Sequence, residues 1–337
     1  MCLPDDIAGS KVPRSRRFRV GPAALLALAA LISMPAQAAE SWPLKPIRIV
    51  VPYAAGGNSD DIMRPLQPKF AAALGQPVII DNRPGGGTQI GTALVAKSEP
   101  DGYTLLYVPA PFVVNPSVMR KLPYDSLKDF APVTQIMTSA LVLVVNRSVE
   151  ANSVSQLIEF AKAMPGQLSF GSGIAGAGHL AGELMKSMAG IDMIHIPYKG
   201  SAPAMIDLIG GHIQVVFATA SAAIPQIQGG RLKALAVTTA RRSPTLPGLP
   251  TLDEAGLKGF DVSVWGGLAV PAKTPRELVT KLHAQFAGIL ALAEIRERFK
   301  AAGAEPVGST PREFSKFLRT EIEKWAQVVK QAKIRVE

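Results

Sequence analysis

The sequence predicts an α/β protein made of two similar lobes, each a mainly parallel sheet flanked by helices, with a ligand cleft between the lobes. Short apolar strands, glycine-containing loops and helices alternate along the chain, which is typical of layered α/β folds. The loops that follow the strands form two groups, before and after about residue 141. Because open α/β sheets bind ligands at the carboxyl ends of their strands, two groups of loops indicate two facing halves of one site.

The first group of elements begins with an apolar strand at residues 47–52, which leads to Gly56, Gly57 and a helix near residues 60–74. The next strand, residues 77–81, leads to a glycine run at 85–87 and a helix near residues 90–97. Apolar runs predict two more strands, at residues 103–108 and 141–146.

The second group of elements begins with a helix at residues 154–164, with Ser153 or Ser155 near its N-cap. A strand at residues 168–170 then runs into a glycine-rich segment and a helix-like run. The same reasoning predicts strands at residues 192–197, 215–218 and 234–238 and helices at residues 203–209, 276–290 and 312–333.

The N-terminus predicts export. Five basic residues precede an apolar run at residues 20–34, which is short for a bilayer span, and Ala36-Gln37-Ala38 forms a small-x-small cleavage pattern. We expect a secretory signal peptide over residues 1–38, cut after Ala38, with a cut after Ala39 or an uncleaved anchor as alternatives. A twin-arginine match at residues 15–18 is weak, so Sec export is favoured.

Composition excludes several function classes. Cys2 is the only cysteine and leaves with the signal peptide, so the mature chain has no disulfide, thiol nucleophile or cysteine metal site. The mature part carries 31 basic and 24 acidic residues, a formal charge of +7. No basic run interleaved with aromatic residues is present, which argues against nucleic acid. The mild positive charge favours anionic ligands or simply solubility.

The glycines in the segment 168–185 raise the question of a nucleotide site, because Gly171, Gly173 and Gly176 spell G-x-G-x-x-G. A dinucleotide-binding fold has an acidic residue at the end of the next strand, whereas Asp192 lies at the beginning of that strand. No P-loop pattern is present. The loop is therefore predicted to hold some other anion.

Catalytic and metal patterns are equally weak. G-x-S-x-G is absent, and Ser172 and His179 share one loop and helix start, whereas a triad needs a separately placed base and acid. The four histidines are scattered and lack metal-ligand spacing. We expect a binding protein without metal or cofactor, with an exported enzyme or a ligand-free scaffold as alternatives.

The loops suit a carboxylate clamp. Backbone N–H groups at helix N-termini bind carboxylates without a charged partner. Candidate side-chain donors are Thr88, Ser172, Ser201 and Thr219, and Lys199 either adds charge or is a solvated loop lysine. Asp60 and Asp61 supply favourable charge to the first turn of a helix, and the alternative is that Asp60 orders the glycine loop or contacts an ammonium group.

An ordered set of segments resembles the Bug family, extracytoplasmic receptors linked to tripartite tricarboxylate transporters. These segments are IRIVVPYAAGGNSDDIMR, NRPGGGTQIG, DGYTLL, LPYDSLKDFAPVT, FGSGIAGAGHLAGELM, PYKGSAPAMIDLIGGHI and LKALAVTT. The resemblance implies the type II-like fold of periplasmic binding proteins, whose lobes close around a small carboxylate. It also implies a periplasmic monomer that meets membrane permease subunits of a tripartite tricarboxylate-type transporter, or else an exported sensor for signalling.

The resemblance also implies the ligand-binding positions and the lobes. The positions are Tyr53, Gly56, Gly57, Asp60, Gly87, Thr88, Gln89 and Ala110 in the first lobe, and Ser172, Gly173, Gly176, His179, Lys199, Ser201 and Thr219 in the second. Lobe 1 would comprise residues 39–140 plus 266–337 and lobe 2 residues 141–265. Thr88 and Gln89 stand where the family pattern has Gly and Asn, and the third loop reads Pro109-Ala110-Pro111. This apolar third loop predicts a ligand with a less polar tail.

Overall fold

The strands and helices alternate as the sequence predicts. A computed structural model of the chain describes residues 42–56, 58–173, 176–198 and 201–332, so the predicted signal peptide lies outside the described residues. The described strands are β1 (Ile47–Val51), β2 (Val78–Asn82), β3 (Thr104–Pro109), β4 (Phe130–Asn146), β5 (Ser169–Gly173), β6 (Ile194–Tyr198), β7 (Val215–Thr219), β8 (Leu232–Val237), β9 (Ser263–Pro271) and β10 (Glu305–Pro306). The described helices are α1 (Asn58–Leu74), α2 (Gln89–Ala96), α3 (Pro111–Val118), α4 (Val154–Ala163), α5 (Ala177–Ala189), α6 (Ser201–Gly210), α7 (Ala220–Gln228), α8 (Arg276–Leu290), α9 (Ala293–Ala301) and α10 (Pro311–Ala332).

The strands form one continuous hydrogen-bonded path in the order β2-β1-β3-β9-β4-β7-β5-β6, with β8 and β10 also paired to β4. β1 runs parallel to β2 and β3, and β5 runs parallel to β6 and β7. The pairings that involve β4 or β9 are antiparallel. The predicted parallel pairing thus describes the outer strands, whereas antiparallel strands join them at the centre.

Strand β4 is the element that joins the two halves of the path. Its residues 130–140 pair with β9, and its residues 141–146 pair with β7 and β8. The sequence predicted only the second part, because the first part contains polar residues such as Thr134, Gln135 and Ser139. Those three side chains are nevertheless buried in the fold.

The register of the central strands brings two sets of strand ends together. Pro109, the last residue of β3, pairs with Gly266, which pairs in turn with Met137 of β4. Thr219, the last residue of β7, pairs with Leu141 of β4. Since β3 and β7 run in opposite directions along β4, their carboxyl ends face each other across four residues, roughly 13 Å of strand.

Helices cover both faces of the sheet beside β4. Leu141, Leu143 and Val145 belong to one buried apolar cluster, and Val142 and Val144 belong to another on the opposite face. This alternation follows from the two-residue period of a strand. Because both faces are buried, β4 reads as a continuous apolar run over these residues.

Several helix predictions agree closely with the structure. The helix predicted at residues 276–290 matches α8, and α4 begins at Val154 with Ser153 as its N-cap, where the Gln156 N–H donates to Ser153 Oγ at 3.2 Å. Helices α3, α7 and α9 and strands β9 and β10 were not predicted. Within the described ranges no single helix is long and apolar enough to cross a membrane.

Candidate functional site

The loop between β1 and α1 is organised by a buried carboxylate. The Gly56 N–H and the Arg64 Nε–H donate to Asp60 Oδ2, each at 2.8 Å, and Asn82 Nδ2 donates to Asp60 Oδ1 at 3.0 Å. Asn82 also donates to the carbonyl of Tyr53 at 3.1 Å. Asp60 is only 3% exposed, and the network links Tyr53 and Gly56 to the first turns of α1.

The charge of Asp60 is stabilised where it lies. Burial alone would raise the pKa of this carboxyl, but hydrogen bonds from Gly56, Asn82 and Arg64, together with the Arg64 charge, hold it below its ordinary value. Both carboxylate oxygens therefore accept bonds from the protein itself. This geometry favours the alternative in which Asp60 orders the glycine loop, and the sequence did not single out Asn82 or Arg64 as its partners.

The glycine of this loop exposes its backbone. Gly56 has φ +80°, and a Cβ placed there would meet no atom within 4 Å, so this side of the residue faces open space. Gly57 lies outside the described residues. An exposed loop before the N-terminus of α1 is the arrangement that the anion prediction requires.

Two neutral tyrosines lie behind the same loop. Burial raises the pKa of Tyr107 to about 12, although a hydrogen bond with Ser59 lowers it in part. Burial, and then the nearby Tyr107, raise the pKa of Tyr53 well above its ordinary value. The Tyr107 ring lies over Gly266, where a Cβ would come within 2.1 Å of the tyrosine oxygen. Gly266 therefore lets the Tyr107 side chain of β3 pack closely against the backbone of β9.

The loop between β2 and α2 has an unusual backbone. Gly85, Gly86 and Gly87 have φ values of +122°, +57° and +60°, and Thr88 follows with φ +78°. A threonine in this left-handed conformation is strained, because its branched Cβ crowds the backbone. Thr88 is the N-cap of α2, but its side chain makes no capping hydrogen bond.

The Thr88 side chain points into the protein. The residue is 3% exposed, and its hydroxyl is buried without a hydrogen-bond partner among the described residues. The Thr88 carbonyl accepts from Thr92 Oγ1 at 2.8 Å, and the Gly87 carbonyl accepts from Asn115 Nδ2 at 2.9 Å. The role of Thr88 as a hydroxyl donor stays a prediction that this burial disfavours. Gln89, which follows, is half-buried at the start of α2.

The third predicted loop is very short. Ala110 is the N-cap of α3 and separates β3 from Pro111, the first residue of that helix. Pro109 is buried, whereas Ala110 and Pro111 are partly exposed. A proline at the first helical position costs no intrahelical hydrogen bond, which explains why the sequence Pro-Ala-Pro starts a helix here.

Gly171, the first glycine of the predicted fingerprint, serves packing. Gly171 and Gly173 lie in the strand itself, and a Cβ on Gly171 would approach Ile213 Cδ1 to 2.4 Å and Tyr198 Cε2 to 2.8 Å. Gly182 of α5 similarly faces the Phe170 ring, because a Cβ added to Gly182 would lie 2.2 Å from Phe170 Cε2. Close contact with neighbouring side chains, rather than approach to a pyrophosphate, requires glycine at these positions.

Ser172 lies at a pair of stacked histidines. Ser172 Oγ is 2.7 Å from His195 Nε2, and the rings of His195 and His179 are stacked with centroids 3.9 Å apart and planes 15° apart. His179 Nε2 is 4.0 Å from Glu183 Oε1, which also accepts from Lys186 Nζ at 3.0 Å. His195 could not be assigned to this cluster from the sequence, because it lies 23 residues after Ser172.

Both histidines are neutral at pH 7. Burial, followed by His195 and Lys186, lowers the pKa of His179 to about 4. Burial is also the largest effect on His195 and lowers its pKa, with a contribution from Lys186, while a hydrogen bond to the Ser172 backbone acts in the opposite direction. An uncharged aromatic pair thus lies beside Ser172, near the carboxyl end of β5.

The remaining predicted site residues of the second half also lie at strand or helix ends. Gly176 is the N-cap of α5, and Thr219 is the N-cap of α7, with its Oγ1 3.2 Å from Ser221 Oγ. Ser201 is exposed and begins α6, whereas Lys199 lies outside the described residues. Within the part of the chain that the structure describes, no group of three metal-ligating side chains comes together.

Comparison with known proteins identifies the family. The model described as tripartite tricarboxylate transporter family receptor matches residues 62–334. The chain belongs to this family. BugT of Bordetella pertussis is 38% identical over 296 residues, which cover 87% of this chain and 91% of BugT. The predicted Bug-family resemblance is therefore confirmed.

Solved structures of this family share the fold. An R. palustris protein solved with adipate is 35% identical and has a TM-score of 0.76, covering 87% of this chain and 99% of its own. MatC from Rhodopseudomonas palustris, solved with bound malate, is 29% identical with a TM-score of 0.72, covering 86% of this chain and all of its own. The family consists of periplasmic solute-binding receptors and not enzymes, so the enzyme alternative is set aside.

Proposed function

We propose that this receptor captures a small carboxylate between two lobes in the periplasm and delivers it to a permease of the tripartite tricarboxylate type. The observation that carries the proposal is the register along β4. Pro109 ends β3 level with Met137, and Thr219 ends β7 level with Leu141, so two sets of strand ends face each other. Ligands of open α/β sheets bind at such ends.

The proposed lobes follow the change of partners along β4. Lobe 1 comprises residues 39–140 plus 266–337, and lobe 2 comprises residues 141–265. The boundary at 140/141 is supported because β4 leaves β9 and joins β7 and β8 there. A ligand that contacts both lobes only when they are close together favours the closed state.

The proposed ligand contacts are mostly backbone donors at helix N-termini. In lobe 1 these are the loops that contain Gly56, Gly57 and Gly87–Gln89, with Tyr53 and Ala110 at their edges. In lobe 2 they are Ser172, Gly173, Gly176 and His179, together with Lys199, Ser201 and Thr219. Neutral tyrosines and histidines behind the loops suit an anion, because a carboxylate is held there without repulsion.

We propose a dicarboxylate or monocarboxylate with an apolar section as the ligand class. Ala110 and Pro111 present carbon atoms at the third loop, where proline offers no N–H donor. The related R. palustris protein, which is 35% identical to this chain, was solved with adipate, an aliphatic diacid, and this supports the proposed class. Malate in MatC is the more polar comparison.

A thermal-shift screen of the exported protein tests the proposal. The panel contains adipate, malate, citrate, amino acids and aromatic acids, each at millimolar concentration. A ligand present at 100 times its Kd adds about 2.7 kcal/mol to the free energy of unfolding, which raises the melting temperature measurably. We expect a stabilising acid that is recovered unchanged after incubation. A folded protein that no carboxylate stabilises contradicts the proposal.

Two further measurements address export and delivery. Mass spectrometry of the protein isolated from the periplasm is expected to show an N-terminus after Ala38, and retention of residues 1–38 contradicts the predicted cleavage. Uptake of the labelled acid by cells is expected to require both this chain and a tripartite-type permease. Unchanged uptake after deletion of this chain favours the signalling alternative.

A further inference from the structure

We propose that His195 is a positioning residue for ligand capture, whose Nε2–H holds Ser172 Oγ so that the Ser172 hydroxyl proton is directed to the bound carboxylate. The inference rests on the proposed function, because it takes Ser172, a residue that is 6% exposed, as a ligand contact. It begins from the 2.7 Å distance between Ser172 Oγ and His195 Nε2. At that distance a proton lies between the two atoms, and it belongs to one or the other.

The direction of this hydrogen bond decides what Ser172 can do. A hydroxyl has one donor and two acceptor lone pairs. If Ser172 donates to a bare Nε2, its only proton is used and the side chain repels a carboxylate oxygen. If Nε2–H donates to Ser172, the hydroxyl proton is available to the ligand. A carboxylate bound at this loop therefore needs the second arrangement.

The surroundings of the imidazole favour the second arrangement. The ring of His195 also forms a hydrogen bond with the backbone of Ser172, which raises its pKa against the effect of burial. A neighbour that raises this pKa stabilises a proton on the imidazole, which favours donation from the ring toward Ser172. A neutral imidazole has one N–H, and Nε2 is the ring nitrogen that lies beside Ser172 Oγ, so a proton placed there is donated to the hydroxyl.

The ring is held in place by its neighbours. The His179 ring is stacked on it at 3.9 Å, and the Phe170 ring lies 4.9 Å away. The charged groups that face this pair are Glu183 and Lys186 of α5. A half-buried ring that is stacked on one aromatic neighbour and packed beside another does not flip easily, so Nε2 remains next to Ser172 Oγ.

The other elements near His195 bring their titratable groups to the opposite face of the sheet. Tyr198 on the same strand donates to Asp207 Oδ2 of α6 at 2.6 Å. Tyr198 packs with the apolar cluster of α6, whereas Phe170 packs with the cluster of α5. Since His195 is an odd number of residues from Tyr198 along β6, its side chain points to the α5 face.

The same contact also resembles the serine–base pair of a hydrolase, and the geometry separates the two functions. A triad needs an acid that orients the base. Glu183 faces His179 and pairs with Lys186, so the carboxylate of the cluster is directed at the second histidine and not at the base. The pair therefore fits orientation of a hydroxyl donor.

A double-mutant cycle with adipate as the probe tests the inference. Calorimetric Kd values are measured for the wild type, Ser172→Ala, His195→Leu and the double variant. Loss of a hydrogen bond to a charged group predicts about tenfold weaker binding for Ser172→Ala. We expect a similar loss for His195→Leu and no further loss in the double variant, because His195 acts through Ser172. Independent losses that multiply in the double variant overturn the inference.

Two matched variants separate positioning from folding. His195→Gln places an amide N–H near the position of Nε2 and is expected to keep adipate binding within about threefold of wild type. His212→Leu changes an exposed histidine outside the cluster and is expected to have no effect. If His195→Gln binds as weakly as His195→Leu although both melt like the wild type, His195 does not act as a donor.

A measurement on the ligand-free protein decides the inference separately from the proposed function. The ¹⁵N chemical shifts of the His195 ring at pH 7 report which nitrogen carries the proton. We expect a protonated Nε2, and a bare Nε2 overturns the inference. If no acid in the panel binds the wild type, the proposed function fails, and the ring shifts still show whether His195 donates to Ser172.

Discussion

The loop after β1 and the loop after β5 lie at facing strand ends but are supported by opposite chemistry. Behind the first loop is an ionised carboxylate, Asp60, that accepts from Gly56, Arg64 and Asn82. Behind the second loop are two neutral imidazoles, of which His195 contacts Ser172 and His179 is stacked on His195. The residues at the start of the first loop are held by a charged network, whereas Ser172 contacts an uncharged aromatic pair.

This difference shows two ways of building an anion-binding loop. A carboxylate of the protein repels a carboxylate ligand unless its charge is balanced by nearby donors. The charge of Asp60 is balanced by Arg64, and both of its oxygens accept hydrogen bonds from neighbouring residues. The histidines avoid the problem because burial keeps them uncharged. The two supports should therefore respond differently to substitution and to pH.

The largest expected effect comes from removing the charged support. Asp60→Ala leaves the Gly56 N–H and the Asn82 amide without their acceptor and is expected to lower the free energy of unfolding by about 3–4 kcal/mol. Urea denaturation measures the change. Arg64→Ala removes one donor whose side chain is 51% exposed, and is expected to cost less than about 1 kcal/mol. Equal costs for both variants contradict the assigned role of Asp60.

Acidification is expected to weaken the second support first. The folded-state pKa of His179 is about 4, below its ordinary 6.5, so the unfolded chain takes up this proton first. Stability is full above pH 6.5 and falls by up to about 3 kcal/mol as the pH approaches 4. Asp60 has a lowered pKa, so its contribution is full above 3.8 and is lost only at lower pH.

Urea denaturation at pH 7, 5.5 and 4.5 checks this order. His179→Gln removes one titrating group and is expected to give a flatter dependence of the unfolding free energy on pH than the wild type. An unchanged slope between pH 6.5 and 4.5 in this variant means that other groups cause the loss.

The glycine in β5 gives a smaller expected effect. Gly171→Ala places a methyl group 2.4 Å from Ile213 Cδ1 and 2.8 Å from Tyr198 Cε2, and is expected to cost about 2 kcal/mol by overpacking. Gly248→Ala is the control, since a Cβ there meets no atom within 4 Å. A Gly171→Ala variant that is as stable as Gly248→Ala contradicts the packing role of this fingerprint glycine.

The smallest expected effect is a gain in stability. Thr88→Gly relieves the φ of +78° and removes a buried hydroxyl that has no hydrogen-bond partner among the described residues, so the melting temperature should rise by the equivalent of about 1 kcal/mol. Gly87→Ala is the control in the opposite direction, because Gly87 has φ +60° and a Cβ added there would lie 3.1 Å from Met119 Cε. It should lower stability by a similar amount. If Thr88→Gly is less stable than the wild type, the threonine side chain contributes more to stability than its backbone strain costs.

The sequence predicted the local features of this molecule. Alternating strands, glycine loops and helices were visible because burial on both sheet faces makes strands such as β1 and β7 short apolar runs. The N-cap at Ser153 and the full extent of α8 followed from local residue preferences. The ordered motifs were sufficient to indicate the receptor family, which the comparisons confirm.

Only the tertiary structure decided which distant residues meet. The pairing of Phe170 with His195 across β5 and β6 brings Ser172, His179 and His195 together, although no spacing in the sequence marks them as a cluster. The polar first half of β4 was missed because its hydrogen bonds to β9 come from a strand more than 120 residues later. Local propensity reports the neighbours along the chain, whereas register, stacking and the burial of Asp60 depend on contacts that exist only after the chain has folded.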